Sequence, residues 1–303
     1  MTNYFKNILP HFVCIFILLI LSITYFYPIL LKKGIEQSDI SQFRGMSKQI
    51  VDHRENFDEE PYWLDNAFLG MPSYQVSVIY PYDLLRIIDL SIRFLPRPAD
   101  YLFLYLFSFY LLIISLKINY RYALFGSIAF GFSTYLIIIL GVGHNTKALA
   151  LGYLPMVIMG VLMIFRKDFL KGFLITSLAL GLQIHSNHYQ MTFYTLIIVM
   201  VMFIVYIIDY YKRNDLKAIF YCISAFTLSS IIALLMNASA LLATKEYSEF
   251  STRSKSEISV KPDGTLKESQ TGLSKDYITE YSYGILESLN LFIPKFMGGA
   301  SSE

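Results

Sequence analysis

The sequence predicts an all-α polytopic membrane protein with about seven transmembrane helices and a large first loop that carries amphipathic interfacial helices. Three observations predict it. Of the 303 residues, 55% are hydrophobic and only 16% are charged, with 24 Phe and 24 Tyr, a balance shifted from soluble domains toward membrane proteins. Apolar runs recur that are long enough for a hydrocarbon core, which a helix crosses in about 20 residues. A polar stretch with helical periodicity, residues 32–99, separates the first run from the rest.

The runs cover residues 8–31, 100–116, 122–141, 148–165, 169–186, 190–210 and 218–243, the second and fourth being short. The first is long for the apolar part of a signal peptide and has no small-residue cleavage site before Lys32 and Lys33, so it reads as a retained anchor. A net charge of +2 with scattered basic residues implies no nucleic-acid partner. Cys14 and Cys222 lie inside apolar runs without Cys-x-x-Cys spacing, which points to neither a disulfide framework nor a thiolate metal site.

Orientation follows from the Lys and Arg content of the short connections. With the N-terminus and Lys6 in the cytoplasm, Lys117 and Arg121, then Arg166, Lys167 and Lys171, then Lys212, Arg213 and Lys217 all fall in cytoplasmic turns. Lys32 and Lys33 would lie outside, but they flank a segment long enough to translocate largely regardless of charge. Asp39, the turns at His144 and His185 and the tail after Thr244 then emerge on one outer face. The span interiors hold almost no ionisable residue, since His11, Gln183, Asp209 and Asn237 lie near ends, so no midplane charge relay is expected.

Within the outer loop, Phe43, Met46 and Ile50 recur opposite Arg44, Lys48 and Asp52, predicting an amphipathic helix over 40–54. Leu84, Leu85, Ile87, Ile88, Ile92 and Leu95 oppose Arg86, Asp89 and Arg93, predicting a second interfacial helix ended by Pro96 and Pro98. Residues 61–72 between them hold the single Trp, Gly70 and two prolines, a mix that turns the chain and sets rings at headgroup level. Asp65 is the one buried-site candidate of that stretch.

Three polar points carry the candidate chemistry. Asp39, with Gln42 three residues on, fits a capping box, and a carboxylate at a membrane exit also suits a general base. Gly143-His144-Asn145-Thr146-Lys147 offers an imidazole, an amide and an ammonium at a helix start, which suits a phosphate as well as a solvated turn with Lys147 reaching to headgroups. His185 and His188, at i and i+3 with Asn187 between, would share a helix face and line a polar pocket or end a helix. With no third ligand nearby they predict no closed metal site, although a divalent metal is not excluded. The region 245–303, rich in Ser, Lys, Glu and Gly, reads as an outer loop with a disordered middle, and the odd span count suggests a truncated polypeptide.

Ser38-Asp39-Ile40-Ser41-Gln42, Leu69-Gly70-Met71-Pro72, Leu95-Pro96-Arg97-Pro98, Gly143-His144-Asn145-Thr146-Lys147 and Asn187-His188 resemble YfhO-type bacterial membrane proteins, as do Tyr247, 251–256, 272–277 and Tyr283-Gly284. The resemblance covers essentially the whole chain. YfhO-type proteins are in turn similar to GT-C glycosyltransferases, which take a sugar from a polyprenyl phosphate at the outer face of the membrane. It implies a GT-C-like transmembrane domain over 1–244, with its outer loop at 32–99, and an outer segment over 245–303. Asp39 would be the catalytic acid–base residue, and Arg44, His144, Asn145, Lys147, His185, Asn187 and His188 would bind substrate. Many GT-C enzymes pair two acids at the loop start, whereas here Ile40 follows Asp39 and the other acids are Glu36, Asp52 and Asp65.

The implied partners are a polyprenyl-phosphate sugar, a cell-envelope glycan or lipid acceptor and the bilayer. No cofactor is implied, and the expected location is the bacterial inner membrane. A transporter or lipid flippase is the alternative, its ion-coupled form disfavoured by the missing midplane charges. A noncatalytic scaffold of envelope assembly is a third.

Overall fold

The structure, a computed structural model, describes residues 2–251, 275–280, 282, 284–293 and 296–297, with the side chains of these from Ile8 onward except that of Leu291. The expected disordered middle of the tail and the motifs at 252–256, 272–274 and Tyr283 lie outside the described residues, as does the side chain of Lys6. The described chain is almost wholly helical: α1 (Thr2–Tyr25), α2 (Ser38–Phe57), α3 (Leu84–Ile92), α4 (Ala99–Ser115), α5 (Tyr120–Gly131), α6 (Thr134–Val142), α7 (Asn145–Phe165), α8 (Phe169–His185), α9 (Tyr189–Lys212), α10 (Leu216–Met236), α11 (Ala238–Ser248) and α12 (Lys275–Thr279). One short antiparallel pair, β1 (Trp63–Leu64) with β2 (Met71–Pro72), interrupts them.

All seven apolar runs are largely helical, and among the described residues four helices are long and apolar enough to cross a membrane, Ile8–Tyr25, Asn145–Phe165, Tyr189–Lys212 and Leu216–Met236, or five if the bent pair Tyr120–Gly131 and Thr134–Val142 is one span. This is an all-α protein with the multi-pass character of a membrane chain. Three runs end or break earlier than their hydropathy predicts. The first leaves the α-helix at Tyr25 and continues as a short 3-10 turn, Tyr27–Leu31, entered through Pro28. The third breaks at Ser133, whose extended backbone bends α5 from α6 by 50°. The last stops at Asn237, whose side-chain amide donates to the carbonyls of Ala233 and, on α8, Gly181 at 2.9 and 3.0 Å. Hydropathy misses all three because the breaks come from backbone geometry and local hydrogen bonds.

The chain divides into two compact units, residues 1–48 with 79–237 and residues 49–78 with 238 onward. In the first, α4 is the central helix: Tyr101, Leu102, Leu104, Tyr105 and Leu106 are fully buried. Helices α7 and α8 approach closely because small residues face each other. A Cβ added at Gly160 would stand 2.7 Å from the backbone nitrogen of Thr176, and one at Gly172 would stand 2.6 Å from that of Ile164. Such small-residue seams are how helices associate where lipid gives no hydrophobic reward for contact. Phe193, Met200 and Ile204 on α9, and Phe220 and Leu235 on α10, stay exposed, as lipid-facing side chains would.

The turns of this unit gather at two ends. At one, Arg166 donates to the carbonyl of Ser115 and Lys167 pairs with Asp215, each at 2.5 Å, tying three basic turns together. At the other lie the start of α2, the turns before α7 and α9, and α3.

In the second unit, Arg54 makes a two-point ion pair with Glu60 and also donates to the carbonyl of Ser77 at 3.3 Å. Tyr74 and Gln75 reach the carbonyl of Ala243 and the hydroxyl of Thr244, fastening the middle of α11 to the 71–77 stretch. Asp65 is exposed, contrary to its expected burial, because the hairpin turns it outward.

Candidate functional site

Asp39 stands inside the first turn of α2. It is therefore not the residue preceding the helix that the capping reading requires; by position that residue is Gln37, whose carbonyl accepts from Ser41 N–H at 3.0 Å. Instead of capping, the Asp39 carboxylate pairs with Nδ1 of His144, 105 positions away in sequence and therefore invisible to local patterns. The contact exists because α2 begins directly on the turn between α6 and α7. Gly143 holds φ at +92°, and a Cβ there would meet Gln37 and Ile40, both at 3.0 Å, so glycine is required twice over. Gln37 completes the seat by donating to the carbonyl of Leu140 at 2.5 Å.

The pair remains open to solvent, the Asp39 side chain 36% and the His144 side chain 45% exposed. A carboxylate and an imidazole held together at an accessible helix end can accept a proton and pass it on. Asn145 begins α7, its N–H given back to the carbonyl of Gly143 at 2.7 Å. Lys147, half-buried in the first turn of α7, has its ammonium 5.5 Å from the centre of the Tyr135 ring, a cation–π contact that suits a cation near the unfavourable end of a helix dipole. Arg44 is exposed on α2, and no ion pair or hydrogen bond joins it to Asp39, His144 or Lys147.

His185 and His188 do not share a helix face. Helix α8 ends at His185, and Asn187 adopts a left-handed φ of +59° before α9 begins at Tyr189. Asn187 is the residue type that tolerates this turn, so its place in the sequence is explained by chain reversal. His185 Nε2 contacts Asp83 Oδ2 at 2.8 Å, and Asp83 Oδ1 also accepts the N–H of Arg86 at 3.0 Å, capping α3. Burial works to raise the Asp83 carboxyl, but the hydrogen bonds from His185 and from the Arg86 N–H outweigh it and hold the group below the usual carboxylate range. For His188, burial, reinforced by the charges of Lys147 and His144, keeps the imidazole below the ordinary histidine value and so favours its neutral form. Among the described residues no group of three or more His, Cys, Asp or Glu is arranged to hold a metal ion.

The largest departure from the sequence reading is α3. Of its expected polar face, Arg86, Asp89 and Arg93, the last two are buried and Arg86 is partly exposed, while Leu84, Ile87 and Leu90 are exposed. Arg93 grips Asp89 through two nitrogens and Asp100 through a third, and the Tyr153 hydroxyl donates to Asp89 at 2.6 Å. The guanidinium lies 4.9 Å from the Tyr101 ring centre. Burial would lower the Arg93 pKa, yet hydrogen bonding and charge from Asp89 raise it above its ordinary value. This network pins α3 between α4 and α7. In a membrane chain an amphipathic helix can present either face to the protein, so the pattern alone could not choose.

A second feature that local patterns missed is a polar strip on α9. His188, Thr192 and Thr195 follow one another at i, i+4 and i+7, and Gln183 of α8 donates to the Thr195 hydroxyl and to the carbonyl of Ala150, both at 2.9 Å. His188 Nδ1, Thr192 Oγ1 and Gln183 Oε1 are buried without a hydrogen-bond partner. The helical spacing of 188, 192 and 195 was the available signal.

Compared with protein-family models, with curated proteins and with solved structures, the chain matches none.

Proposed function

We propose that this chain is a membrane glycosyltransferase-like protein that moves a sugar from a polyprenyl-phosphate donor to a cell-envelope acceptor. In this reading it has seven spans, sits in the bacterial inner membrane with its N-terminus in the cytoplasm, and works at the outer face. One observation carries the reading: an accessible carboxylate–imidazole pair, Asp39 with His144, next to Lys147 at the end of the helical unit opposite the basic turns. That separation fits the rule that basic turns stay cytoplasmic.

In the proposed step an acceptor hydroxyl attacks the anomeric carbon. Its proton passes to the Asp39–His144 pair, the bond from anomeric carbon to phosphate oxygen breaks, and polyprenyl phosphate leaves with the electron pair. Lys147 compensates the leaving charge. The neutral His188 would face the sugar or acceptor.

The test is a proteoliposome assay with a labelled polyprenyl-phosphate hexose and an envelope-lipid extract as acceptor. Release of polyprenyl phosphate with label on the acceptor supports the reading, and a His144→Ala variant should then release it about a hundredfold more slowly. Movement of the labelled lipid across the bilayer without release would contradict it and identify a flippase.

A further inference from the structure

Residues 65–70 form the apex of the β1–β2 hairpin, and this apex is built to push two large apolar side chains outward. Gln49 fixes its base: its side-chain oxygen accepts the N–H groups of Asp65 and Asn66 at 3.0 and 3.2 Å, and its nitrogen donates to the Asp65 carboxylate at 3.3 Å. Gly70 N–H closes the apex on the carbonyl of Ala67 at 2.9 Å. The hairpin buries Leu64 and Ala67 beneath it. Phe68 and Leu69, however, both sit in the left-handed region, at φ +52° and +63°, where residues of their size are seldom found. Their side chains are 82% and 106% exposed. Trp63, half-exposed, lays its ring over Gly70, where a Cβ would stand 2.8 Å from Cζ2, and Tyr62 beside it is exposed as well.

We propose that Phe68 and Leu69 form a wedge that inserts into the bilayer, with Trp63 and Tyr62 at the headgroup level above it. The chemistry favours lipid over a protein partner in three ways. A multi-pass chain always has a bilayer at hand. Leu and Phe belong in acyl chains, while Trp and Tyr prefer the interface. The hydrogen bonds of the Asp65, Asn66 and Gly70 N–H groups remove part of the cost of bringing a turn toward a medium without water. From Glu55 to Leu85 there is no Lys or Arg, whereas Glu55, Asp58, Glu59, Glu60, Asp65 and Asp83 are acidic. The wedge is therefore suited to a zwitterionic surface, and anionic headgroups should not strengthen its insertion.

Trp63 is the single tryptophan of the chain, so its fluorescence reports this hairpin alone. The full chain would be reconstituted in phosphatidylcholine nanodiscs carrying bromine on the acyl chains, and again with phosphatidylglycerol added. The expected result is strong quenching by shallow-brominated lipid, poor access to aqueous iodide and no gain from phosphatidylglycerol. A Phe68→Ser, Leu69→Ser double variant should lose most of the lipid quenching and become open to iodide. Quenching by iodide but not by lipid in the unaltered chain would overturn the proposal. Protection from both quenchers would also overturn it and indicate a protein surface over the wedge. Neither reading depends on whether the variant folds, and neither depends on the glycosyltransferase proposal.

Discussion

Two acid–base contacts in the helical unit use similar groups for opposite ends. Asp39 and His144 meet at an exposed helix start, each with one partner and with solvent on its other side. Asp89, Arg93, Asp100 and Tyr153 are all at least nine-tenths buried and are bonded to one another. A buried charge must be fully paired to exist at all, so the second cluster is a fastening. A half-exposed pair costs little to hold and can exchange protons, which is why the proposed function places its chemistry at the first. Asp83 with His185 falls between: it is partly buried, and its carboxylate also caps α3.

Substitutions can break this contrast, and the largest effect belongs to the buried network. Arg93→Leu leaves Asp89 and Asp100 buried without their cation and should cost about 3–5 kcal/mol, read as a fall in melting temperature in detergent or nanodiscs. Tyr153→Phe removes one hydrogen bond to a buried carboxylate and should cost about 1.5–3 kcal/mol in the same measurement. Gly143→Ala forces a side chain into the left-handed region and against Gln37 and Ile40, for about 1–3 kcal/mol. That variant also sharpens the contrast, because it displaces α2 from its seat and should lower any sugar release more than its stability loss explains.

Acid should loosen the 185–188 turn in two steps. His188 has a depressed value, so its contribution is complete above the ordinary histidine value of about 6.5 and is lost as pH falls through the lower folded value. Asp83 is also depressed; its contribution is complete above about 3.9 and is lost as pH falls through its own folded value. Amide protection over residues 186–190, corrected for the intrinsic pH dependence of exchange, should therefore fall first below neutral pH and again in strong acid. His188→Gln should erase the first step alone.

Much of the scaffold was legible in the sequence because apolar length and periodicity are local properties. The helices at 8–25, 145–165, 189–212 and 216–236 follow from them directly. The breaks at Ser133 and Asn237 were not legible, since each depends on a single residue's backbone or side-chain bonding within an apolar run. Nor was the direction of α3, where Leu84 and Ile87 make as good a lipid face as a protein face. The site residues divide in the same way. His144, Lys147 and Asp39 were found as isolated polar points beside apolar runs, but their assembly depends on Gly143 accepting α2, a contact across about a hundred residues. The left-handed turn at Asn187 was not legible either, since it depends on a φ angle at the chain reversal.

The most direct test of the central claim is Asp39→Asn, measured for stability and for release of polyprenyl phosphate in the same preparation. An exposed pair predicts a stability change within about 1 kcal/mol together with a loss of release of about a hundredfold or more. Normal release by a folded Asp39→Asn protein would contradict the account.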